Sequence, residues 1–506
     1  MRQLTSLDSQ FLALENARQT GHVGGMAILD PSTTPDGTLT SADIQAVIVE
    51  RLPLLPPLRW RLVEVPLGLD YPYWIDDPDF DIDFHVREIA LPSPGDDHQL
   101  AEQVARIMSR QLDRARPLWE LYVIQGLKAG QVGMLTKIHH SVIDGMSGAE
   151  VMGLLLDLGP EAPRLPDLPD WKGEVDAVPS TMEMLGRGVM GLPRYPLRIL
   201  EALPSAIPNL QDTPFSTLPG AGLAGRLATG ALRAMGVSTA PPAKRTAAPR
   251  TSFNGRISAH RRFAFGQLSL DDVKTVKKAH GCTVNDVIVS LCAGVVRRWL
   301  REHGELPDEP LVAQVPVSVR TSEQVGTYGN RILLMSAPLF TNEADPTARL
   351  HRTHEALGDM KQRHRALPAE LLQDANNFIP PALFTRAAQL TFRLSSSAAA
   401  RPVWNLVISN VPGPQIPLYC AGAQLEANYP FSVITDGMGL NITVMSYLGH
   451  LDFGIVADRE QMPDIWCLIE WLADELGALM PQPRKRSRAK RPQSTAAAEA
   501  PASSAT

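Results

Sequence analysis

Two adjacent histidines, His139 and His140, are followed by Ser141, Val142, Ile143, Asp144 and Gly145, so residues 139–145 read HHSVIDG. A neutral imidazole near pH 7 can take a proton from an attacking group and return it to a leaving group, so one histidine can serve as base and then as acid. An aspartate four residues beyond the second histidine, with a glycine directly after it, gives a loop able to turn back and fix the ring. Adjacent histidines alone are commonplace on solvated loops; the complete run is what marks a site. Other chemistries fit less well. Neighbouring strand residues face opposite ways and no His-Glu-x-x-His run occurs, so no metal is expected on His139 and His140. Gly145-Met146-Ser147-Gly148-Ala149 approaches a hydrolase nucleophile elbow, but its last residue is alanine and helix capping already accounts for Ser147.

The flanking elements place the pair. Residues 119–127 and 131–140 are predicted as strands, and Ser147 to Glu150 has the spacing of a capping box that starts a helix, so the histidines stand at a strand's end. Upstream, Leu100, Val104, Ile107 and Met108 recur at helical spacing and predict a helix over 97–111. Downstream, helices are predicted near 270–280, 285–303 and 462–479, and strands near 311–319, 404–409, 439–447 and 451–456. Alternation of helix and strand in both halves predicts an α/β architecture. Four segments follow: a first domain over 1–170, a Pro-rich connection over 171–250, a second domain over 251–480 and a disordered basic tail over 481–506.

A chain of 506 residues exceeds one ordinary core. Its net charge of −6 hides an uneven distribution, because Arg484, Lys485, Arg486, Arg488, Lys490 and Arg491 crowd into the tail and leave a more acidic body. Such a body argues against nucleic acid as a partner. Four cysteines at irregular spacing match neither a zinc site nor a disulfide framework, which predicts a reducing, cytoplasmic home. The N-terminus lacks a secretory apolar run and no window is a continuous membrane span, so any membrane contact is expected to be peripheral.

HHSVIDG resembles the HHxxxDG motif of CoA-dependent acyltransferases and peptide-synthetase condensation domains. That resemblance implies His140 as the base and Asp144 as a structural buttress, with His139 and Gly145 supporting the motif. Further blocks are similar to bacterial wax ester synthase/diacylglycerol acyltransferases: Leu7-Asp8, Phe11-Leu12 and Glu15, then His22-Val23-Gly24-Gly25, Pro117-Leu118-Trp119, Asn285-Asp286-Val287, Pro316-Val317-Ser318-Val319-Arg320 and Ser409-Asn410-Val411-Pro412-Gly413-Pro414. The late Asp452-Phe453-Gly454 is similar to a DFG stretch that supports the channel in related enzymes. Taken singly, Trp119 would be core filling, Asn285 a helix cap and the Pro-Gly-Pro run a turn. In order, they cover nearly the whole chain outside the connection and tail.

The resemblance implies two similar chloramphenicol acetyltransferase-like domains with mixed sheets, and a tunnel between them with His140 near its middle. Asn285, Asp286, Ser409 and Asn410 are assigned to the substrate channel. Acyl-CoA as co-substrate, with no cofactor, would donate to a lipid alcohol, either diacylglycerol or a fatty alcohol, at the inner membrane face or a lipid droplet. Two other readings remain open here. A condensation-type or polyketide-associated enzyme would take a carrier-bound acyl group, and a silent relative would bind lipid without turnover.

Overall fold

The computed structural model describes residues 1–143, 153, 155–161, 179–191, 248–318, 332–365 and 401–481. In chain order, the helices that matter below are α1 (Ser6–Leu14), α2 (Asp97–Met108), α3 (His140–Ile143), α4 (Leu270–His280), α5 (Val284–Glu302), α6 (Pro346–Arg365) and α7 (Trp466–Leu479). The strands of the two large sheets are β1 (His22–Asp30), β2 (Val86–Ala90), β3 (Trp119–Gln125), β4 (Val132–His139), β5 (Arg261–Ser269), β6 (Leu311–Ser318), β7 (Ile332–Leu339), β8 (Leu406–Val411), β9 (Tyr419–Cys420), β10 (Ala423–Phe431), β11 (Leu440–Tyr447) and β12 (His450–Asp458). Helix α2 begins in a capping box of Asp96 and Gln99 and buries Leu100, Val104, Ile107 and Met108, the stripe read from the sequence. Helix α5 starts on a second box, Thr283 with Asp286, and is buried around most of its circumference. The last helix begins at Trp466 rather than at 462, because Pro463 disfavours helical geometry in the residue before it.

One six-stranded sheet has the order β9-β10-β1-β4-β3-β2 and the other the order β7-β6-β8-β11-β12-β5. Both are mixed, as expected: β2 and β3 run parallel in the first, β6, β8 and β11 in the second, and the other neighbours are antiparallel. The predicted division at 251–480 meets a topological crossing. Strands β9 and β10, from the C-terminal half, complete the N-terminal sheet, with β10 antiparallel to β1 from Gln424↔Asp30 to Phe431↔Gly24. The first sheet would otherwise end on β1 as an exposed edge.

The two sheets meet where β10 lies against β12. Asp452, fully buried, accepts hydrogen bonds from the Asn428 amide at 2.8 Å and from Gln267 Nε2 at 2.9 Å, while burial pushes its carboxyl up to about 6. Two residues on, Gly454 lets the strands touch, since a Cβ there would lie 1.7 Å from the Pro430 carbonyl oxygen. The DFG stretch thus holds the sheet junction. A shared core of Met26, Tyr122, Leu135, Phe263, Phe265 and Tyr429 fills the space beside it. Among the described residues no single helix is long and apolar enough to cross a membrane.

The close approach at Gly454 sets an expectation for stability. Gly454→Ala should cost roughly 3 kcal/mol, because a backbone carbonyl cannot move aside as a side chain can. Gly358→Ala, on α6 with open space around it, should be neutral or stabilising by up to about 1 kcal/mol. Urea unfolding of both variants checks the contrast.

Candidate active site

Strand β4 delivers the histidines and its backbone is fixed on both sides. The His139 amide donates to the Leu118 carbonyl at 2.9 Å and the His140 amide to the Gly21 carbonyl at 2.9 Å. Leu118 belongs to the Pro-Leu-Trp block, whose Trp119 is buried, donates through Nε1 to the Leu58 carbonyl at 2.7 Å and stacks on His85 at 4.4 Å. The block is core, and it anchors the end of the motif strand.

The two rings go to different partners because the strand stops between them. His139 is the last residue of β4 and His140 the first of α3. The His139 side chain is 1% exposed; its Nδ1 is 2.6 Å from Ser141 Oγ, and its Nε2 stands 3.3 Å from Glu15 Oε1. That second contact is electrostatic and off the direction of a good hydrogen bond. His140 stacks face to face on Phe11 with ring centroids 3.9 Å apart. Burial, reinforced by neighbouring His139, lowers the His140 imidazole to about 4, and its Nδ1 is buried without a hydrogen-bond partner among the described residues. At neutral pH this ring is uncharged.

Glu15 and Phe11 organise the pair from the end of α1. Burial alone would raise the Glu15 carboxyl. Instead it is held at about 2 by His139, by the Gly21 amide at 2.8 Å and by Arg114 Nη2 at 2.9 Å. Gly21 is required for this closeness, since a Cβ there would come within 2.6 Å of His139 Nε2. Across the β1–β4 pair, His22 faces the same side as His139 and shares a 2.6 Å hydrogen bond with the Met108 carbonyl. Its burial, with a further push from Lys137, lowers it to about 3.

Asp144 and Gly145, like Ser147, lie outside the described residues, as do Val319 and Arg320. On the second half, Asn410 Nδ2 reaches Asn285 Oδ1 at 3.4 Å, and Ser409 sits on β8 opposite Thr443. Asp286 is 1% exposed; its carboxylate accepts the Thr283 amide at 2.8 Å and pairs with His354 Nδ1 at 2.7 Å. Those contacts commit Asp286 to the helix start. Neither Asn285 nor Asn410 is hydrogen bonded to the histidine pair among the described residues. No group of His, Cys, Asp and Glu suited to a metal ion occurs among them either. Phe11, Glu15, Gly21, Arg114 and Ser141 are the contacts that motif reading left outside the site. Phe11 and Glu15 carried one signal, their place in the opening block.

A half-buried imidazole kept neutral at a strand end suits acyl transfer, and the family model that matches the chain defines the class, an O-acyltransferase. More particularly, the chain belongs to the wax ester synthase/diacylglycerol acyltransferase family: residues 4–288 match its catalytic domain and residues 328–480 its C-terminal domain. The O-acyltransferase WSD of Acinetobacter baylyi is 32% identical over 94% of this chain and 96% of its own length. A Mycobacterium tuberculosis protein provisionally named a diacylglycerol O-acyltransferase is 35% identical over 93% and 96% respectively. The solved wax ester synthase/diacylglycerol acyltransferase of Marinobacter aquaeolei VT8 superposes with a TM-score of 0.66 at 29% identity, covering 95% of this chain and 98% of that one.

Glu15→Gln should lower stability at pH 7 by roughly 3 kcal/mol, the value of a carboxyl held at about 2 instead of in its ordinary range. A depressed carboxyl stabilises the folded state above pH 4.5, and the benefit is lost as pH falls towards 2. Urea midpoints of the two proteins should therefore differ most near neutrality and converge in acid. A constant gap from pH 7 to pH 3 would remove Glu15 from this role.

Proposed function

We propose that this acyltransferase moves a long-chain acyl group from acyl-CoA to the free hydroxyl of diacylglycerol, forming triacylglycerol, with His140 as general base. The observation that carries the reading is the state of that ring: half-buried with its Nδ1 shielded, stacked on Phe11 and lowered to about 4, so it is free to accept a proton at neutral pH. As the acceptor oxygen attacks the thioester carbonyl, its proton passes to the imidazole. When the tetrahedral intermediate collapses and the C–S bond breaks, the imidazolium returns that proton to the departing thiolate. No acyl-enzyme is formed. Holding both substrates against one base removes much of the entropic cost of their encounter.

Diacylglycerol as acceptor draws on the name of the mycobacterial relative and wax ester formation on that of the solved relative, so long-chain alcohols stand as the second acceptor class. Both acceptors are insoluble in water, which favours peripheral attachment to a membrane or a lipid droplet. The six basic residues between Arg484 and Arg491 would add attraction to an anionic surface. Incubation of the purified protein with labelled palmitoyl-CoA and a panel of diacylglycerol, hexadecanol and water, followed by lipid separation, should place the label in triacylglycerol. Label in wax ester or free fatty acid alone would overturn the acceptor.

His140→Ala should abolish transfer while leaving the fold intact, because no described side chain donates a hydrogen bond to its ring. His139→Ala should reduce transfer less and lower stability, because it uncovers the Glu15 carboxylate. In the wild type the acid limb of kcat/KM should fall well below the ordinary histidine value, towards pH 4, since protonation of His140 is what ends activity. An acid limb near 6.5 that persists in His140→Ala would assign the base elsewhere.

A further inference from the structure

Between the C-terminal end of α2, the start of β5 and the start of α7 lies a cleft of about 700 Å³. Five arginines line it, Arg106 and Arg110 from α2 and the turn after it, Arg261 and Arg262 from β5, and Arg459 from the end of β12, against one carboxylate, Glu102. Glu102 is taken up by Arg106 at 3.3 Å, and buried Arg261 donates to the carbonyls of Ser258, His260 and Arg18. Arg110, Arg262 and Arg459 have no carboxylate partner among the described residues, and the Nε of Arg262 is buried without any hydrogen-bond acceptor. Three uncompensated guanidinium groups in one concavity are unusual on a chain whose net charge is −6. A buried guanidinium N–H lacking an acceptor is costly, and the planar fork is matched best by phosphate oxygens.

The cleft is tied to the histidine pair through the backbone. Ser109 and Arg110 on its wall directly follow Met108, whose carbonyl meets His22, and His22 lies opposite His139 in the β1–β4 pair. We propose that this cleft holds the phosphate groups of the acyl donor's nucleotide. The inference rests on acyl-CoA as donor, and it adds the residues that recognise the donor's charged end.

Arg110 and Arg459 are exposed, so charge reversal at both should leave the fold standing. Calorimetric titration of the full chain with adenosine 3′,5′-bisphosphate should show binding to the wild type and at least about tenfold weaker binding to the Arg110→Glu, Arg459→Glu double variant. The preference for palmitoyl-CoA over palmitoyl-pantetheine, taken as a ratio of kcat/KM values, should fall by a similar factor. Equal bisphosphate affinity in the two proteins, or no binding to the wild type, overturns the proposal. So does an equal loss of kcat/KM with both donors, which would place the arginines in the fold rather than at the phosphates. A double variant that sediments less with phosphatidylglycerol vesicles yet keeps its bisphosphate affinity would assign the cleft to a lipid headgroup and likewise overturn it. Because the titration needs no turnover, a wild type that binds bisphosphate but uses no acyl-CoA would sink the donor reading and leave the cleft's phosphate affinity in place.

Discussion

A carboxylate shut beneath the end of a strand must be neutralised by partners or driven to protonate, and Glu15 is held ionised by three. The Gly21 amide, the Arg114 guanidinium and the His139 ring come from three separate stretches of chain, so their convergence fixes the end of α1, the turn into β1 and the end of β4 together. With α1 pinned there, Phe11 is set beneath His140. The His140 ring is thus aimed by stacking and by its backbone, and carries no side-chain hydrogen bond that a reacting proton would have to compete with among the described residues. Other imidazoles of the first half are kept uncharged by the same means: burial lowers His22, opposite His139, to about 3 and His85, against Trp119, to about 4. The interior near the site is therefore organised around neutral rings, the stabilised Glu15 carboxylate and the buried Lys137–Glu120 ion pair.

Much of this was legible in the sequence, and the divisions follow physical lines. Where periodicity is local and its caps are local, as in Asp97–Met108 or Val284–Glu302, the helices stand close to where the pattern put them. The end of the motif strand was equally clear, because Trp119–Gln125 and Val132–His139 are short, largely apolar runs rich in strand-forming residues. His22–Asp30 carries two glycines and reads poorly as a strand, yet Gly24 is there because a Cβ would meet the Thr136 carbonyl oxygen at 1.9 Å. Ala423–Phe431 mixes Glu426, Asn428 and Pro430 into its run, and its pairing is with the far end of the chain. No local signal announces such a partner. Glu15 likewise gains its role only from residues distant in sequence, and the Arg-lined cleft is assembled from segments hundreds of positions apart.

The family blocks separate, on inspection of their contacts, into those that frame the site and those that frame the fold. Trp119 and Asp286 are engaged in packing, capping and a histidine contact of their own. The Ser409–Pro414 run reaches Asn285 through Asn410 and presses against β11 at Gly413, where a Cβ would strike the Ser446 carbonyl oxygen. Motif membership therefore does not by itself place a residue beside the reacting atoms. The burial and partners of each side chain decide that.

The crossing strand also carries a consequence for how the molecule is made. Strand β1 finds its β4 neighbour early in synthesis, but its other edge waits for β10, roughly four hundred residues further along the chain. At ordinary ribosomal rates that interval is about 20–80 s, during which Met26 to Leu29 present an open edge on an incomplete sheet. The last step of folding the first sheet is thus reserved until nearly the whole polypeptide has emerged. A nascent chain interrupted before β10 would offer that edge to other chains.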